Sequence, residues 1–159
     1  MIKSNNLYFD ENLLSEDIDW SLNLYLFVNK ITVLNEKIYM YRQQRKGSIT
    51  NKTSSKNMKD LLYIVNKWYN YDYKDDRLRD IYLNYIAYQY LIVITKSSSE
   101  MFDDKELKQI NEIGRKIFNY SKSKKVKLAK IIKTIFGLKF TIIFMRFYLK
   151  LKNKGILRI

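Results

Sequence analysis

Cysteine, histidine and proline are all absent from the 159 residues, and glycine occurs four times. Without cysteine and histidine the chain has no disulfides, thiol nucleophiles or imidazole bases, and no Cys/His zinc or haem ligands. Scarce glycine argues against Gly-rich phosphate loops, and with proline missing a turn-rich β-sandwich is disfavoured. Long apolar runs are lacking too. The longest uncharged stretch, Ile81–Thr95, holds 15 residues and includes Asn84 and Gln89, short of the ~20 mainly apolar residues that a membrane-crossing helix needs. The opening MIKSNNLYFDENLL is too polar for a secretory signal, so the expected compartment is the cytoplasm. One further absence is local: no acidic residue follows Glu112.

What remains suits a helical protein. Hydrophobic residues make up 47% and charged residues 29% of the chain, enough to build a core. The net charge is +14, and it sits in one place. Residues 1–55 and 56–114 are each close to neutral, whereas residues 115–159 carry fourteen Lys and Arg and no acid. A near-neutral body with a basic C-terminal module follows.

Residues 15–29 read as a helix, with Ser15 as N-cap and Glu16, Asp17 and Asp19 in the first turn, where the helix dipole favours negative charge. Ile18, Leu22, Tyr25 and Leu26 form its apolar stripe. Ile31–Leu34 and Ile38–Tyr41 are short β-branched and aromatic runs, predicted as strands. Arg42–Ser55 reads as a loop. Met58, Leu61, Leu62, Val65 and Trp68 then mark one helix face, and YNYDYKDD interrupts it. Arg77–Lys96 is apolar nearly all round, which predicts a helix sandwiched between others. Asp103–Tyr120 reads as a further amphipathic helix, with Leu107, Ile110, Ile117 and Phe118 inward. Two more helices flank Gly137. In the first, Leu128, Ile131, Ile132 and Ile135 lie opposite Lys127, Lys130 and Lys133. In the second, Phe140, Phe144, Phe147 and Leu151 lie opposite Lys139, Arg146 and Lys150.

Carboxylates, Arg and Lys are left as chemical actors. Asp10, Glu11, Glu16, Asp17 and Asp19 form the densest acidic cluster. A carboxylate at a helix start can act as a general base if a substrate hydroxyl reaches it, although acids in a first turn are ordinarily there for the dipole. Arg42 and Arg45 stand beside Ser48 and Thr50 and suit bidentate contact with phosphate or carboxylate; a solvated basic loop has the same composition. No pattern predicts a metal site.

Taken in order, the clusters carry a resemblance. F-x-E-N-L-L-x-E-D-I-D-W at Phe9–Trp20, then a helix, then V-L-N-E-K-I-Y-x-Y-R-Q-Q-R-x-G-S-I-T at Val33–Thr50, resembles the C-terminal half of a family 2 glycosyltransferase of the GT-A fold. The likeness covers roughly Leu7–Thr53 and is nearest to bacterial members that build capsule and other cell-envelope polysaccharides. It implies inverting transfer of a sugar from a nucleotide-sugar donor to a surface-polysaccharide or lipid-linked acceptor. Asp17 would be the catalytic base and Glu16 its partner. Asp19, Trp20, Arg42, Arg45 and Ser48 would lie on the acceptor and diphosphate side. The family's processive members carry Q-x-x-R-W, and this chain reads Gln43-Gln44-Arg45-Lys46, which does not support processive synthesis.

Only 15 residues precede Glu16, so the nucleotide-binding half and its D-x-D metal ligands have no counterpart here. The resemblance therefore implies the C-terminal remnant of a GT-A α/β domain, as a fragment or truncated reading frame, inactive without its missing half. No cofactor is expected in this chain itself, whereas Mg or Mn is implied for a complete enzyme. The expected fold is mainly α with a small β element, divided into an incomplete catalytic end (1–55), a helical extension (56–120) and basic amphipathic helices (121–159). Those last helices suit an anionic membrane surface at the inner face of the membrane, with Lys127, Lys130, Lys133, Lys139, Phe140, Phe144, Arg146 and Phe147 facing it; packing on the body with the lysines solvated is the alternative. A helical interaction module without catalysis is a further reading. Nucleic-acid binding ranks lower, because the tyrosines cluster in Tyr63–Tyr90 and the lysines lie elsewhere, whereas strand binding needs them interleaved. Oligomeric state is not legible.

Overall fold

A computed structural model describes residues 1–40 and 54–153, and over these residues the chain is a bundle of five helices. They are α1 (Glu16–Tyr25), α2 (Ser55–Tyr69), α3 (Asp76–Lys96), α4 (Asp104–Lys116) and α5 (Lys124–Asn153), with short 3-10 turns at Lys3–Asn5, Ser99–Met101 and Ile117–Asn119. The mainly α class is as expected. The small β element is not seen: among the described residues there is no strand.

Three of the helices start on side-chain caps. The Ser54 hydroxyl accepts from Asn57 N (3.1 Å) and the Asp75 carboxylate from Leu78 N (2.8 Å). Asp103 and Glu106 form a reciprocal capping box, each side chain accepting from the other residue's backbone N–H at 2.8 Å. These bonds satisfy N–H groups that have no partner within the helix. The predicted Ser15 cap is not made. Ser15 has φ 71° and ψ 30°, in the left-handed region, and its hydroxyl bonds to nothing at the helix start.

The core grows outward from α3. Tyr82, Leu83, Ile86, Ala87, Tyr90, Leu91, Val93 and Ile94 are all buried, between α2 on one side and α5 on another. Helix α2 contributes Met58, Leu61, Leu62, Ile64, Val65 and Trp68, and α4 with the turn after it adds Ile110, Ile113, Ile117 and Phe118. Gly114 sits where α4 crosses Tyr90 and Leu138; a Cβ there would collide with the Tyr90 hydroxyl and lie 3.0 Å from Leu138. This close approach lets the Tyr90 hydroxyl donate to Ile110 O (2.9 Å).

Helix α5 is interrupted at Gly137, where φ 78° and ψ 172° are not helical. Only glycine enters that region without strain. The break redirects the chain so that Val126, Ala129 and Ile132 before it, and Thr141 and Met145 after it, all reach the core. Thr141, fully buried, donates its hydroxyl to Gly137 O (2.8 Å).

The predicted strands at Ile31–Leu34 and Ile38–Tyr41 are corrected. Val33 is 85% and Met40 95% exposed, and Ile31, Leu34, Ile38 and Tyr39 are also open. β-Branched residues favour a strand where a pleated surface half-buries them, and two short strands with nothing beneath them are marginal in water. Tyr41 and the predicted loop through Thr53 lie outside the described residues.

Candidate functional site

The segment that leads into α1 folds back over α2. Lys56 Nζ donates to Asn12 O (2.7 Å) and to Asp60 Oδ2 (2.8 Å), and Asp60 Oδ2 also accepts from Leu14 N (2.9 Å). Upstream, Phe9 stacks on Trp20, ring centres 4.9 Å apart, and the Trp20 indole donates to Leu7 O (3.2 Å). Trp20 therefore fixes the path of the N-terminal arm. Between arm and helices lies an open groove of about 800 Å³, lined by Phe9, Asp10, Glu11, Glu16, Asp17 and Asn57 among others.

The three acidic residues of the first turn separate at this point. Glu16 is half-buried and Asp17 exposed, and both line the groove. Asp17 Oδ1 accepts from Ile18 N (3.0 Å), and among the described residues its carboxylate forms no ion pair. Asp19, a turn's fraction further on, points the other way and is buried. Its Oδ1 accepts from the Trp68 indole (2.7 Å), both oxygens accept from Lys67 Nζ (2.8 and 2.9 Å), and Asn23 Nδ2 adds a bond to Oδ2 (3.2 Å). Asp19 joins α1 to α2 as a strut, and its acceptor sites are used inside the protein. Trp20 likewise serves the arm. Glu16 and Asp17 share one groove; Arg42, Arg45 and Ser48 lie outside the described residues.

Among the described residues no three acidic side chains converge as metal ligands.

The expected membrane-facing set divides too. Lys127, Lys130 and Lys139 are exposed, as are Phe140, Phe144 and Phe147. Lys133 is half-buried: its ammonium donates to Arg115 O and lies 5.9 Å from the Phe118 ring centre, and burial, followed by the nearby Lys130 charge, lowers its pKa. Arg146 donates to Ile94 O (3.2 and 3.3 Å) and to Ser97 O, closing the carbonyl end of α3, where a cation is favoured by the helix dipole. Both bond to the body, Lys133 half-buried and Arg146 still exposed. In exchange, sequence reasoning missed Phe136 and Ile143 and put Ile131 and Ile135 on the wrong side. All four are open, and Ile131 and Ile135 share their face with Lys127 and Lys130 around a shallow hollow. The result is a ridge of seven exposed large apolar side chains along α5, with Phe136 and Phe140 rings 4.8 Å apart and Phe140 and Phe144 6.5 Å apart.

Comparison with protein-family models, with curated proteins and with solved structures returned no match. The functional reading therefore rests on the residues themselves. Among the described residues no helix is long and apolar enough to cross a membrane.

Proposed function

We propose that this chain is the acceptor-side portion of an inverting family 2 glycosyltransferase, with Asp17 as its general base. The observation that supports this most is the open groove at the E-D motif, where Asp17 is exposed and unpaired among the described residues while its neighbour Asp19 is consumed by the fold. A carboxylate so placed can take the proton of an acceptor hydroxyl as that oxygen attacks the anomeric carbon of a nucleotide sugar and the nucleotide diphosphate departs. Glu16, half-buried beside it, would orient the acceptor. Donor binding, and any Mg or Mn, belong to the nucleotide-binding half. Surface polysaccharide or a lipid-linked sugar is the acceptor class in this reading, and the site of action is the cytoplasmic face of the membrane.

The test is sugar transfer by the polypeptide that joins this chain to the coding sequence upstream of Met1. Asp17→Asn should lower transfer about 10²- to 10⁴-fold without loss of folded protein. Unaltered transfer would remove Asp17 from the role.

A second reading, favoured by the α5 ridge, is a module that docks on anionic membrane with no catalysis. A cluster of exposed large apolar side chains can mark an interaction site, and exposed lysines on the same helix suit acidic headgroups. Binding to vesicles of phosphatidylcholine with 30% phosphatidylglycerol (about 1 kcal/mol per nearby Lys or Arg) should survive moderate salt and fall on Phe140→Ser with Phe144→Ser. Equal retention of that variant would show that charge alone is responsible.

A further inference from the structure

A second, separate hollow lies further along α1. Asp17, Ser21 and Tyr25 are spaced i, i+4, i+8 and so share one helix face. Across a hollow of about 280 Å³, Ser21, Leu22 and Tyr25 of α1 face Ile81, Tyr82 and Tyr85 of α3. The nearness of the two faces also registers in the chemistry of Tyr85: burial raises its hydroxyl pKa, a Gln89 hydrogen bond opposes this, and the Asp17 charge and then Tyr25 add to the rise.

Five of the protein's tyrosines have their rings engaged. Tyr71, Tyr73 and Tyr82 pack with Trp68 in one aromatic cluster, Tyr90 packs on Phe118, and the Lys125 ammonium lies over Tyr88, 5.8 Å from its ring centre. Tyr82 also donates its hydroxyl to Leu22 O (2.9 Å), which makes it a fixed wall. Tyr25 and Tyr85, by contrast, are 54% and 41% exposed, and among the described residues no ring stacks on either and no cation covers them. An aromatic ring with an open face and a polar tip binds a partner that is apolar on one side and hydrogen-bonding at its edge. A pyranose has that character: axial C–H groups on its face, hydroxyls around its rim.

We infer that Tyr25 and Tyr85, with Ile81 and Ser21 lining the same hollow, form a stacking platform for a pyranose ring of the glycan acceptor, on the α1 face that also carries Asp17. This rests on the reading of Asp17 given above and adds the part of the site that grips the acceptor. The E-D motif contains neither tyrosine. The two groups would act as positioning residues, holding the sugar while its hydroxyl, or that of the adjoining ring, meets the carboxylate.

The test uses the chain as it is, with cellobiose, chitobiose and methyl α-rhamnoside as probes and cyclohexanol as an apolar control. Saturation-transfer NMR should mark the C–H protons of at least one saccharide, and shifts should concentrate at Tyr25, Tyr85 and Ile81. Tyr85→Ala should weaken that binding about 5-fold or more, the scale of one lost aromatic contact, while Tyr85→Phe keeps it. Tyr25→Ala, on the rim of the fold, provides the same reading if Tyr85→Ala does not fold. Shifts at these residues from cyclohexanol alone, or from none of the probes, would overturn the platform. Failure of the base assignment is separable: saccharide binding that persists while Asp17→Asn leaves transfer unchanged sinks the base and keeps the platform. Loss of transfer with no saccharide at the tyrosines does the reverse.

Discussion

Replacing Asp19 should unfold the protein more readily than replacing any other acid of the E-D-x-D run, although Asp17 is the one assigned to chemistry. The size follows from what Asp19 touches. Its Trp68 partner is fully buried, and Trp68 Nε1 donates to Asp19 Oδ1 at 2.7 Å. Deleting the carboxylate leaves that indole N–H without an acceptor, at a cost of about 1–3 kcal/mol. The ion pair with Lys67 adds less, because the lysine side chain is 35% exposed and partly screened by water; about 0.5–1 kcal/mol is a fair allowance. Asp19→Ala should therefore cost about 1.5–4 kcal/mol. Asp19→Asn keeps an oxygen for the indole and should cost about 1 kcal/mol. Asp17→Asn, exposed and bonded only to Ile18 N, should stay within about 0.5 kcal/mol of the parent. Urea unfolding followed by tryptophan fluorescence and by far-ultraviolet circular dichroism reads all three, and Trp68 reports the site directly. If Asp19→Ala unfolds within 0.5 kcal/mol of Asp17→Asn, the strut assignment is wrong.

Two further predictions follow from backbone and burial. Gly137→Ala meets no atom within 4 Å, so any penalty comes from φ 78° alone; it should cost about 1–3 kcal/mol, seen as a lower urea midpoint, and a neutral result would mean that the break in α5 is not required. Stability should also fall as pH rises from about 10 to 12. Burial first, and then the neighbouring Tyr71 and Tyr25, push the Tyr82 hydroxyl up to about 12, and burial raises Tyr90 further. The folded chain thus keeps protons that the unfolded chain releases near pH 10, so the stabilisation is complete below pH 10 and is lost across that window. Tyr82→Phe, with one fewer such proton, should show a shallower decline in urea midpoint over the same range.

Much of the bundle was legible because its signals are local. The buried set of α2 is the one its spacing predicts, with Ile64 added, and the polar YNYDYKDD break falls between α2 and α3 as expected. Gly137 marks the interruption of α5, since no other residue type takes that backbone at low cost. What escaped depends on partners distant in the chain. Nothing local separates Asp17 from Asp19; the difference is made by Lys67 and Trp68, 48 and 49 residues away. Helix α5 is apolar on two sides, so periodicity alone could not say which side would be covered. Nor could periodicity show that Lys133, half-buried, and Arg146, which stays exposed, bond to backbone carbonyls of α4 and α3. The strand expectation failed for the opposite reason: side chains suited to a sheet are present at 31–40, but among the described residues no sheet lies under them. The Tyr25–Tyr85 hollow carries no sequence motif at all, because it is made only when α1 crosses α3.

The two-sided character of α5 has a consequence during synthesis. Until α5 has formed, the faces of α3 and of the turn after α4 that it packs against stay open. The same helix carries the outward aromatic ridge. Completion of the core and presentation of the ridge are therefore one event.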